Sequence, residues 1–134
     1  MNIPKFLFPF IVLLLFSSGC SEKTLTFNEL YDGDLSKVEM ITILDGSTGY
    51  NRKLTNKDDI ADFLEELSHV TFTITNIDTR ELNGMLFGVG FHETNSINPD
   101  FVMTTNIVDD KVFEADTDLA IIFEKYYEKG ESDN

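Results

Sequence analysis

The sequence predicts an α+β domain of two layers: a mainly antiparallel sheet of five to six strands, with two amphipathic helices on one face, in the order ββαββββα. Three observations carry this. Ile60, Phe63, Leu64 and Leu67, and again Leu119, Ile122, Phe123 and Tyr126, recur at i, i+3, i+4 and i+7, the stripe of a helix lying on a core. Between and before them run short β-branched or alternating segments joined by Asp, Asn and Gly turns, which bring neighbours together antiparallel. The chain has one cysteine in 134 residues, so packing rather than disulfides must hold the domain.

That cysteine closes the first segment. Phe6 to Phe16, FLFPFIVLLLF, is apolar throughout and follows a single basic residue, Lys5. Eleven residues are too few to cross a bilayer, which takes about 20, but they suit the core of a secretory signal, with Ser17, Ser18 and Gly19 as its small-residue exit. Cys20 follows at once. The run, the small pair Ser18-Gly19 and the cysteine resemble the signal peptide of bacterial lipoproteins, departing from that pattern in having Ser17 where Leu is usual. The resemblance implies cleavage before Cys20, a diacylglycerol thioether on its thiol as a palmitate-type lipid anchor, and residence on the extracytoplasmic face of a cell membrane. Two acyl chains suffice for stable anchoring, at about 0.8 kcal/mol per buried methylene. The expected divisions are a signal peptide over 1–19, a lipidated Cys20 and tether over 20–36, one α+β domain over 37–130 and a disordered tail over 131–134.

Within the tether, Leu25, Phe27, Leu30 and Tyr31 suggest a partly ordered second half, and Asp32-Gly33-Asp34 reads as a turn. Lys37 to Leu44 alternates and then becomes fully apolar, as a central strand does. Asp45 to Gly49 turns it into a second strand, Tyr50 to Leu54. Thr55 or Asn56 caps the first helix, with Asp58 and Asp59 favoured in its first turn. Val70 to Thr75 alternates strictly and is a strand. Asn76 to Gly84 is a polar connection ending in the hairpin-type pair Asn83-Gly84. In the strand Met85 to Phe91, Met85, Phe87, Val89 and Phe91 share one face, while Gly88 and Gly90 leave the other bare, with room for a crossing side chain or helix. Thr94 to Pro99 is a loop, Phe101 to Val108 a strand, Asp109-Asp110 a turn and Lys111 to Glu114 a strand. Asp116-Thr117-Asp118 caps the second helix, with Lys125 and Lys129 near its C-terminal end.

Charge and residue inventory narrow the function. All 24 acidic residues follow Cys20, so loss of residues 1–19 leaves nine basic residues against them, a net charge of −15 with His neutral. Such a surface repels nucleic acid and attracts cationic partners. Nucleophilic catalysis would rest on His69 or His92, one following a helix and one ending a strand; no GxSxG or HExxH is present. Zinc ligation is not indicated by two separated histidines. Asp45 to Asn51 has oxygens at calcium-loop alternation but lacks the Gly and Glu of an EF-hand, and Asp109, Asp110, Asp116 and Asp118 form a second incomplete set. The expectation is a membrane-anchored, non-catalytic interaction module, of inhibitor or immunity type, acting as a monomer without a cofactor on a cationic protein or peptide; the alternative is a cell-surface hydrolase using carboxylates. In size, charge and element order, the domain resembles small lipoproteins of Gram-positive bacteria, which implies no activity.

Overall fold

The computed structural model describes residues 23–94 and 96–132, so the leader, Cys20 and the last two residues lie outside the described residues. The sheet is α+β in class, open and antiparallel throughout. Its strands are β1 (Thr24–Thr26), β2 (Val38–Asp45), β3 (Asn51–Leu54), β4 (Thr71–Ile74), β5 (Phe87–Glu93), β6 (Phe101–Thr104), β7 (Ile107–Val108), β8 (Lys111–Ala115) and β9 (Glu131–Ser132). They lie in the order β1-β4-β8-β7-β6-β5-β2-β3-β9. A four-residue helix α1 (Phe27–Leu30) follows β1, α2 (Lys57–Ser68) joins β3 to β4, and α3 (Leu119–Lys129) joins β8 to β9. Because β3 and β4 sit towards opposite edges, α2 crosses the sheet, and α3 crosses back.

Both long helices are built as their stripes require. Asn56 caps α2 by accepting from the Asp58 and Asp59 backbone N–H groups at 2.9 and 3.1 Å, and Asp118 caps α3 by accepting from Ala120 at 3.0 Å. Ile60, Phe63 and Leu67 of α2 and Leu119, Ile122, Phe123 and Tyr126 of α3 are buried. Cross-strand rows supply the opposing layer: Ile41, Phe91 and Phe101 are paired neighbours, as are Ile43, Val89 and Met103. Phe63 stacks on Phe91 with ring centres 6.1 Å apart and meets Tyr126 at 4.6 Å. The helices are tied to each other at the surface by the pairs Lys125–Glu66 and Lys129–Asp59.

The strand count exceeds the expected five to six for three reasons. Part of the expected tether belongs to the domain: β1 pairs with β4 (Leu25 opposite Phe72), and Thr26 caps α1 in a reciprocal capping box with Glu29. Phe27 is thereby driven to the centre of the core, against Phe72, Phe91 and Phe101. At the other end, Glu131 and Ser132 pair with Lys53 and Arg52, where a disordered tail was expected. The expected strand Phe101 to Val108 folds back on itself, because the Thr104 hydroxyl accepts from the Asn106 and Ile107 N–H groups and turns the chain; Met103 then pairs with Val108.

Two further expectations change. Asn83-Gly84 closes no hairpin: β4 and β5 are not neighbours, and the connection, with a 3₁₀ turn at Thr79–Glu81, spans β8, β7 and β6. Met85 precedes β5 instead of joining the Phe87 row. The Gly46 N–H donates to the Leu86 carbonyl at 2.8 Å and Gly84 takes φ 69°, which turns Met85 to the opposite face.

Candidate functional site

The sheet face away from the helices carries Thr42, Leu44, Gly88, Gly90, Val102 and Thr104, set in register by the pairs Thr42–Gly90–Val102 and Leu44–Gly88–Thr104. The two glycines make room for crossing side chains. A Cβ on Gly90 would stand 2.7 Å from Thr42 Oγ1 and 3.0 Å from Pro99 Cβ, and one on Gly88 3.1 Å from Met85 Sδ. Between Met85, Pro99, Leu44 and Val102 lies a shallow apolar hollow of about 300 Å³, with Val102 52% exposed.

Val102, Pro99 and Thr104 also border a second hollow, of about 470 Å³, whose rim is acidic: Asp32, Asp100, Asp109 and Asp110. Asp109 and Asp110 form the two-residue turn between paired Val108 and Lys111, and both take positive φ, 46° and 59°. That is the geometry a tight hairpin demands and non-glycine side chains resist. Asp100 opens β6 and its Oδ2 accepts from the Glu93 N–H at 2.8 Å; Glu93 Oε1 in turn accepts from the Asp34 N–H at 2.8 Å. The Asp32–Asp34 segment is thus latched to the end of β5. Beneath it lies Tyr31, 5% exposed, whose hydroxyl is buried and meets no hydrogen-bond partner among the described residues. Burial, then the charges of Glu93, Asp100 and Asp34, push its pKa up to about 12.

Elsewhere four basic residues are spent on neighbours. Arg52 pairs with Glu128 at 3.7 Å and lies over the Tyr127 ring, Arg80 pairs with Asp78, and Lys125 and Lys129 bridge α3 to α2. Among the described residues, Asp32, Asp34, Glu93, Asp100, Asp109 and Asp110 enter no ion pair; Lys37 lies close enough to help lower the Asp34 pKa, after the larger effect of the Ser36 hydroxyl. Negative charge therefore accumulates at one end of the sheet, where β5 ends, β6 begins and the β7-β8 turn lies.

The residues weighed for catalysis or metal binding are dispersed. His92 is 4% exposed, between the Thr42 hydroxyl (3.1 Å from Nε2) and the Ser96 carbonyl (3.3 Å from Nδ1). A carbonyl only accepts, so Nδ1 donates there, and with the Thr42 hydroxyl beside Nε2 both ring nitrogens have a partner. His69 caps the end of α2, exposed, 3.4 Å from Glu65. The Asp45 carboxylate accepts from Ser47 within its own turn. Asp109 and Asp110 stand at one end of β8; beyond its other end Asp116 accepts from the Thr71 N–H and Asp118 caps α3. Among the described residues, no group of three or more His, Cys, Asp or Glu is placed to hold a metal ion. A general acid needs a carboxyl held upwards in pKa, whereas among the described residues the carboxyls with a displaced pKa are displaced downwards: Asp34 by Ser36, Asp45 by Ser47, Glu66 by Lys125 and Asp78 by Arg80.

Sequence reasoning singled out Asp109-Asp110, Gly88 and Gly90, and the structure brings these to neighbouring surfaces. It missed Tyr31, Glu93, Asp100 and Val102. The available signal was Tyr31-Asp32-Gly33-Asp34: an aromatic residue followed by two acids around a glycine is more than a turn in a tether. Among the described residues, no helix is long and apolar enough to cross a membrane. No protein-family model matches the chain, and neither a curated protein nor a solved structure matches it.

Proposed function

We propose that this chain is a lipid-anchored interaction module of the extracytoplasmic membrane face, tethered through acylated Cys20, that binds a basic protein or peptide without catalysing a reaction on it. Blocking a cationic enzyme or peptide, as an inhibitor or immunity protein does, is the form of this function that suits the surface. The observation that supports it is the acidic hollow: Asp32, Asp100, Asp109 and Asp110 surround exposed Val102 and half-buried Ile107, and no basic side chain forms an ion pair with any of the four among the described residues. Apolar contact at the centre with charge at the rim is how interfaces divide affinity from steering.

Two measurements test the reading. In a detergent phase split, the wild type partitions with the detergent and Cys20→Ala remains unprocessed and unacylated; a wild-type protein found in the aqueous phase overturns the anchor. Capture from cell envelopes then recovers a basic partner whose association rate falls steeply as salt rises from roughly 50 to 500 mM, where the screening length shrinks from roughly 14 to 4 Å. A rate unchanged across that range removes the electrostatic part of the proposal.

A further inference from the structure

Deepening the reading just given, and resting on it, we propose that Glu93 and Asp100, beside the Tyr31 ring, form the receiving site for a lysine-type ammonium group of the basic partner. The two carboxylates are held together by the backbone: Asp100 Oδ2 takes the Glu93 N–H, and Glu93 Oε1 takes the Asp34 N–H. Each bond occupies one oxygen. Glu93 Oε2 accepts no hydrogen bond among the described residues, and Asp100 Oδ1 has only the distant Ser96 hydroxyl, at 3.5 Å. Two adjacent carboxylates in a fixed geometry, with an acceptor position open on each, form a seat for a donor with several hydrogens.

Tyr31 is the independent sign that the seat takes a ligand. A buried hydroxyl without a partner is costly, and the charges that act on this one are those of Glu93, Asp100 and Asp34. A Cβ on Gly33 would come within 2.8 Å of Tyr31 Cε1 and within 3.1 and 3.3 Å of the two Glu93 carboxylate oxygens, so ring edge and carboxylate converge on the Gly33 backbone. An ammonium has three hydrogens and no acceptor. Entering here, it donates to Glu93, to Asp100 and, with a small displacement of the Gly33 segment, to the phenolic oxygen. A divalent metal is a poorer match, since the described acids present no three-ligand set, and Asp34 is committed to Ser36, accepting from its N–H and hydroxyl. Flanking apolar contacts are supplied by Val102 and Ile107 in the adjoining hollow.

The test uses the full acylated chain in non-ionic detergent and a defined probe, a pentapeptide of alternating lysine and leucine, titrated calorimetrically beside the same peptide with acetylated lysines. The site predicts binding of the free-amine peptide alone. The isosteric pair Glu93→Gln with Asp100→Asn keeps the latch hydrogen bonds and weakens binding by about tenfold or more. Tyr31→Phe weakens it by about tenfold or more, the loss of one hydrogen bond to a charged group. A charge-matched control on exposed helix positions, Asp58→Asn with Glu124→Gln, stays within about twofold. Unchanged melting temperatures show that the amide variants are folded, and Asp100→Asn alone, expected to give part of the loss, serves if the double variant is not. Salt-sensitive binding that survives the Glu93/Asp100 variants, or falls equally in the control, overturns this site while leaving the acidic-surface reading in place. A wild type that binds neither peptide overturns both.

Discussion

Two tyrosines show how one chemical change can have opposite effects. The Tyr126 hydroxyl donates to Glu66 Oε1 at 3.0 Å, whereas the equally buried Tyr31 hydroxyl has no partner among the described residues. Tyr126→Phe is therefore expected to lower the unfolding free energy by about 1 kcal/mol, and Tyr31→Phe to raise it by about 1 kcal/mol, since the latter removes a desolvated group without breaking a bond. Urea melts of the two variants side by side check the signs. Glu66 joins a second prediction. The Lys125 ammonium, and after it the Tyr126 hydroxyl, hold its pKa below the ordinary 4.5. A carboxyl depressed by folding contributes stability above its unfolded pKa and loses that contribution as pH falls through the folded value. Glu66→Gln should thus flatten the decline of stability below about pH 4.5 while lowering stability at neutral pH; parallel acid limbs for the two proteins would remove Glu66 from the account.

At the scale of elements, what could be read from the sequence followed periodicity. The stripes of α2 and α3, and the alternation of β2, β4 and β5, are local patterns, and each became a helix or strand, although Met85 fell outside β5. β1 and β9 are three and two residues long and exist because a distant strand offers them a ladder. No local pattern encodes that. The candidate site was legible only in pieces for the same reason: Tyr31, Glu93 and Asp100 come together through α1 docking on β5 and β6, long-range contacts that a list of acidic residues does not contain. The β7–β8 turn offers a test. Asp-Asp at two positive-φ positions is a poorer choice than Asn-Gly, so Asp109→Asn with Asp110→Gly should stabilise the domain by about 1 kcal/mol. The same change should slow partner capture at low salt, because it removes two carboxylates from the rim. A variant both more stable and as fast to associate would show that the strained pair has no part in binding.

For the whole molecule, the two-layer α+β class was legible because it depends only on how many amphipathic helices and strands must share a core. The strand order was not, since it is set by which edges pair across the chain. That order puts β1 and β9 at the two outermost positions. A sheet edge is a row of unused donors and acceptors, and a long flat one recruits further strands into aggregates. Here each rim is a fragment too short to template another chain, and each seals the longer strand behind it, β4 or β3. By ending the sheet in stubs and leaving the bulk of its charge negative, the fold keeps neighbouring copies from joining edge to edge, so crowding need not become fibre formation.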